Sequence, residues 1–139
     1  SDFDMSFAPT TSDGKLYFQA CLGSIGCNIG DDPCAFYFYD VTNTTIIGAY
    51  GDADGSRLRV SWKHVVPHVG DDGGRSFGCW HEPGSTDSRD YTIFGNANES
   101  RTLYINRNHY NTNNAYIDSS RPASTFTITE YAASAVTLT

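Results

Sequence analysis

The sequence predicts an all-β single domain, an antiparallel β-sandwich or closed barrel of about nine short strands with two disulfides and little helix. Three observations carry that expectation. The apolar residues lean on nine Tyr and eight Phe in a chain of 139, together with Val and Ile, side chains that suit a half-buried pleated surface. No stretch keeps apolar residues at helical spacing without interruption by Gly, Pro or Asn, whereas short alternating or aromatic runs recur throughout. Those runs are separated by Asp-Gly, Gly-Asp and Asn-rich turns at intervals of about 8 to 15 residues, as in sheet proteins built from short strands.

Strands are expected in order near 15–22 (KLYFQACL), 34–41 (CAFYFYDV), 45–50 (TIIGAY), 57–62 (RLRVSW), 75–80 (RSFGCW), 90–94 (DYTIF), 101–106 (RTLYIN), 114–118 (NAYID) and 124–131 (STFTITEY). In RLRVSW, Leu58, Val60 and Trp62 alternate with polar residues, so Trp62 is expected to face the core. Phe126 and Ile128 alternate in the same way with Thr125, Thr127 and Thr129. CAFYFYDV is aromatic at every second position on both faces, so a central strand covered on both sides is expected, with Tyr37 and Tyr39 buried. Residues 61–75 (SWKHVVPHVGDDGGR) read as a strand end, a long polar loop and the approach to the strand that carries Cys79. The Asn-rich 106–114 stretch also reads as an exposed loop.

Four cysteines, Cys21, Cys27, Cys34 and Cys79, are an even number without the C-x2-C knuckle of a zinc site, so two disulfides are expected, of undetermined connectivity. Asn43-Thr44-Thr45 and Asn98-Glu99-Ser100 are N-glycosylation acceptors at Asn43 and Asn98. Disulfides and sequons together predict a secreted, extracellular glycoprotein. The net charge of −7 and the absence of a basic run argue against nucleic acid as the main partner. No apolar run approaches the roughly 20 residues that span a bilayer, so membrane insertion is not expected.

The histidine pair in HVVPH looks like a metal motif only until Pro67 is considered. Proline disfavours the helix that would stack His64 and His68, and on an extended chain they lie about 13 Å apart. No cofactor is expected; calcium is the alternative, because Asp52 and Asp54 stand at alternate positions in GDADGSR, and Asp71 and Asp72 lie in DDGGRS. However, the twelfth position of the loop that begins at Asp52 is Lys63, where a bidentate glutamate belongs. Catalysis by a small secreted hydrolase, such as a ribonuclease, would draw on His64, His68, His81 and His109 with Glu82, Glu130 and an arginine. Any chain with four histidines supplies those parts.

A non-catalytic binding protein is therefore the leading expectation. Sugars are recognised by an aromatic face flanked by short amide, carboxylate and hydroxyl groups. CWHEPGSTDSRD and NRNHYNTNNAY offer that mixture, with Trp80, His81, Glu82, His109, Tyr110 and Asn113 as candidate ligand-binding residues. The competing expectation for Trp80 is core packing beside a cysteine. Glycan or cell-wall polysaccharide is the first expected ligand, and a host or partner protein surface, as for an effector, toxin or allergen, is the second.

Overall fold

The computed structural model describes residues 3–28, 32–48, 60–66, 70–97, 101–106 and 122–136. Within them the chain is all-β, with nine strands: β1 (Met5–Phe7), β2 (Lys15–Cys27), β3 (Asp32–Asp40), β4 (Thr45–Ile47), β5 (Trp62–Val66), β6 (Gly70–His81), β7 (Arg89–Ala97), β8 (Leu103–Ile105) and β9 (Thr125–Tyr131). A single short 3-10 turn at Ala133–Ala135 follows β9 among the described residues. Two antiparallel sheets result, and neither closes into a barrel.

Sheet A runs β1-β7-β3, with β4 and β5 sharing the far edge of β3. Sheet B has β2 at its centre. β6 pairs along its whole length, from Leu16 opposite His81 to Cys27 opposite Gly70, while β8 and β9 divide its other edge. Alternation then assigns the faces. Leu16, Phe18, Ala20 and Leu22 of β2 point inward with Phe77 and Cys79 of β6 and Phe126 of β9, and meet Phe36, Phe38, Tyr91 and Ile93 of sheet A in one apolar core. Phe18 lies at its middle, with ring centroids 5.6 Å from Phe38, 5.0 Å from Tyr91 and 6.1 Å from Phe126. Trp62 stacks on Phe77 at 5.7 Å, inward as expected.

The strands expected near 15–22, 34–41, 45–50, 75–80, 90–94, 101–106 and 124–131 are present; that expected at 114–118 and Leu58 lie outside the described residues. Two readings need correction. RLRVSW does not end a strand at Trp62. Val60 and Ser61 are not in a strand, and β5 begins at Trp62. GDDGGR is not loop but the first half of β6, against the low strand propensity of its Asp and Gly residues. Long-range pairing overrides propensity here, because β2 presents a full ladder of partners. Gly74 also has a local reason: a Cβ there would lie 2.7 Å from the Leu22 carbonyl oxygen and 2.9 Å from that of Gly23.

The two expected disulfides are not formed. Cys21 shares the outer face of sheet B with Ser76, whose hydroxyl donates to its Sγ at 3.1 Å. Cys27, Cys34 and Cys79 all belong to the core. With one thiol on the opposite side of a sheet from the other three, two intrachain bridges have no route. Burial pushes the Cys79 thiol up to about 12, so it stays protonated and inert. In the native protein a thiol-reactive dye should therefore modify Cys21 first and Cys79 only on unfolding, as peptide mass mapping after timed labelling would show; early labelling at Cys79 would contradict this packing.

Candidate functional site

The same alternation that sends Leu16, Phe18 and Ala20 inward sends Lys15, Tyr17 and Gln19 outward, together with Trp80 and Gly78 of β6 and Thr127, Thr129 and Tyr131 of β9. Tyr17 packs on its cross-strand neighbour Trp80 with centroids 4.9 Å apart, and Tyr131 meets Trp80 edge-on at 5.2 Å. Gly78 makes this possible. A Cβ at that position would stand 2.5 Å from the Tyr17 hydroxyl oxygen and 2.8 Å from its Cζ, so the missing side chain is the seat on which the Tyr17 ring lies. Lys15 and Glu82 border the cluster and neutralise one another, Nζ to Oε1 at 2.9 Å. Among the described residues, the other strand positions beside the rings on this face are uncharged: Gln19, Thr127 and Thr129.

Of the residues named from sequence, Trp80 and Glu82 thus come together on this face. Trp80 is half-buried and outward, not a core residue. His81 is the correction among the ligand candidates. It is opposite Leu16 and points inward, 5.9 Å from Phe18 and 6.2 Å from Tyr91 between ring centroids. His109, Tyr110, Asn113, Asp52, Asp54 and Asn98 lie outside the described residues, and for Asp71 and Asp72 the structure describes the backbone of β6 alone. Among the described residues no group of three His, Cys, Asp or Glu side chains is placed to hold a metal. Tyr17 and Tyr131 were missed, although the alternation in KLYFQACL already set Tyr17 opposite in face to Phe18.

His81 belongs to a polar knot at one end of the core. Asp40, 1% exposed, accepts from the Asn43 backbone and Nδ2, both at 2.8 Å, and from Arg89 Nη1 at 3.4 Å. Arg89 Nη2 donates to the Pro83 carbonyl at 2.8 Å and to Ser85 Oγ at 3.0 Å. This ties the turn after β3 to the loop that enters β7. Burial, reinforced by the Arg89 charge, holds His81 below its ordinary pKa, against weaker opposite pulls from Asp40 and Glu82. Burial likewise raises the Tyr91 phenol.

A lowered histidine pKa means that the unfolded chain binds the proton at a pH where the folded one does not. Stability therefore falls as pH drops below the unfolded value near 6.5 and levels off below the folded one. Melting temperatures measured from pH 7 to 5 should decline, and His81→Gln should flatten that decline. Glu130 adds a second, more acidic drop. Its carboxylate accepts from the Thr10 backbone and hydroxyl and the Thr11 backbone, the Thr10 backbone bond being the main cause of its lowered pKa. It therefore anchors the 8–14 loop to β9, the role the structure shows for a residue considered as an acid–base group. That contribution is lost as pH falls below about 4.5 through the folded value.

The outer face of sheet A overturns the expected burial of Tyr37 and Tyr39. Phe36 and Phe38 take the core side of β3, and both tyrosines stand outward and half-buried. Phe94 of β7, opposite Tyr37, is 42% exposed and lies 5.7 Å from Tyr37 and 5.0 Å from Tyr39 between ring centroids. Beside this strip a groove of about 610 Å³ opens along β1 and β7. The chain matches no known protein family, no curated protein and no solved structure.

Proposed function

We propose that the protein is a secreted, non-catalytic β-sandwich domain that binds a neutral glycan, such as a cell-wall polysaccharide, across the outer face of sheet B. The observation that carries this reading is the Tyr17–Trp80–Tyr131 cluster, set among amide and hydroxyl side chains with its one lysine and one glutamate paired. Aromatic faces stack on the apolar faces of sugar rings, and the short polar groups satisfy the hydroxyls at the rim. The rings are tilted by 51° and 63° to one another, which suits separate sugar units on an individual chain better than a flat crystalline surface. Two packed sheets with a shared core support the sandwich reading. Extracellular residence is supported by the sequons, of which Asn43 is exposed in the 41–44 turn.

RNA cleavage has less support. His81 and Glu82, the neighbouring acid–base candidates, do not converge: His81 turns into the core and Glu82 pairs with Lys15 on the outer face.

Titration of a panel of neutral oligosaccharides by calorimetry tests the proposal. Trp80→Ala should weaken the best ligand by at least about tenfold, or 1.4 kcal/mol. Gly78→Ala, in protein that still folds, should weaken it too without removing any ring, because the new methyl meets the Tyr17 ring and the Phe18 carbonyl oxygen 2.7 Å away. Failure of the wild-type chain to bind any glycan, or full binding by a folded Trp80→Ala variant, would sink the reading.

A further inference from the structure

We propose that His81 and the 82–88 segment behind it form an acid-released latch on the aromatic face of sheet B. As pH falls the face gives up its ligand, a release that rests on the glycan reading above. The segment is fastened at both ends. Pro83 is buried, and Arg89 donates to the Pro83 carbonyl and to Ser85 Oγ. Glu82 is pinned to Lys15 at the border of the ring cluster. Between these fixed points Gly84 stands at a φ of 70°, and a Cβ built there would meet no described residue within 4 Å, so the chain can swing about it.

His81 is the catch. Its ring lies between Phe18 and Tyr91, and its Nε2 is buried with no hydrogen-bond partner among the described residues. A proton added here places a charge where nothing accepts it. The surrounding charged and titratable groups come from every neighbouring strand. Glu82 follows His81 and is neutralised by Lys15 of β2. Asp40 of β3 already accepts from Asn43 and Arg89. Glu130 of β9, on the far side of Leu16, is taken up by Thr10 and Thr11. Arg89 and Tyr91 lie on β7, and the repulsion from Arg89 is larger than the attraction of either Asp40 or Glu82. A protonated His81 is therefore favoured outside the core. Among the described residues β6 is an edge strand, and it ends at His81. The ring leaves by parting the last rungs, Leu16–His81 and Tyr17–Trp80, which takes Trp80 off its seat on Tyr17.

Tryptophan emission of the ligand-free chain tests the latch without any sugar. The chain has two tryptophans, so Trp62→Phe leaves Trp80 as the reporter. Between pH 7 and 5 its emission should shift to the red with a midpoint below the ordinary histidine value of 6.5, while far-ultraviolet circular dichroism remains that of the folded chain. His81→Gln should abolish the shift, and His81→Phe replaces it if the glutamine variant does not fold. Calorimetry over the same range, with the tightest binder of the neutral oligosaccharide panel, should show affinity falling by at least about threefold in the wild type as the closed fraction falls. In His81→Gln affinity should hold. A shift that persists without His81 would assign the proton to another group and overturn the proposal. So would emission that ignores pH, or a shift that comes only with loss of the whole fold. A chain that shows the shift and binds no sugar keeps the latch and loses the glycan reading. One that binds sugar with unchanged affinity across this range loses the latch alone, so the two failures are separately visible.

Discussion

Replacing Asp40 by alanine should cost about 3 to 5 kcal/mol of folding stability, a large share of the roughly 5 to 15 that a domain possesses. Asp40 is buried at the end of β3, with three donors converging on its carboxylate, two from Asn43 and one from Arg89. Removing it strands the Arg89 guanidinium without its counter-charge and frees the 41–44 turn. The penalty comes mainly from that uncompensated charge, so its partner's removal should return much of it. Arg89→Met combined with Asp40→Ala is expected to be more stable than Asp40→Ala alone. Urea denaturation of the wild type, both single variants and the pair measures the coupling. A single-variant loss below about 1 kcal/mol would show that water reaches the pair and that it behaves as a surface bridge.

Phe18→Ala is expected to lose about 3 to 5 kcal/mol as well, for an unrelated reason. The ring is fully buried on β2 and spans the space between the sheets, touching Phe38 and Tyr91 on sheet A and Phe126 on its own. Deleting it removes the transfer free energy of a buried aromatic and leaves a void walled by other rings, which collapse poorly because each is held by its own strand. Phe18→Leu should recover part of the loss. Tyr17→Ala, one residue away on the outward face, should cost much less. If the two alanine variants proved equally destabilising under the same denaturant titration, the assignment of inner and outer faces on β2 would be wrong.

Alternation in STFTITEY marks Phe126 and Ile128 as one face, and the structure buries Phe126 in the core with Ile128 packed against it. In CAFYFYDV alternation is equally regular, yet both faces are aromatic, and hydrophobicity alone does not distinguish a covered face from an exposed one. Tyr37 and Tyr39, expected to be buried, therefore stand outward and half-buried. GDDGGR failed in the other direction: its composition resembles a turn, and only the ladder offered by β2 makes it a strand. β1 was missed because three residues are too few to show a period. The candidate site was legible only in Trp80 and Glu82; Tyr17 and Tyr131 joined them through pairings of residues far apart in sequence, Lys15 with Glu82 and with Tyr131 among them.

From the sequence by itself come the all-β class, the approximate strand positions, the inward-facing Trp62, Phe126 and Ile128, and the acidic balance that disfavours nucleic acid, since all of these follow from local composition and a period of two. Only the tertiary structure decided that the barrel stays open, that no disulfide joins the cysteines, that His81 turns away from Trp80 and Glu82, and that two aromatic surfaces face outward. The physical reason is the same in each case. A strand's pleat separates two faces, but which face becomes interior depends on the strands and the sheet that pack against it, and those lie far along the chain.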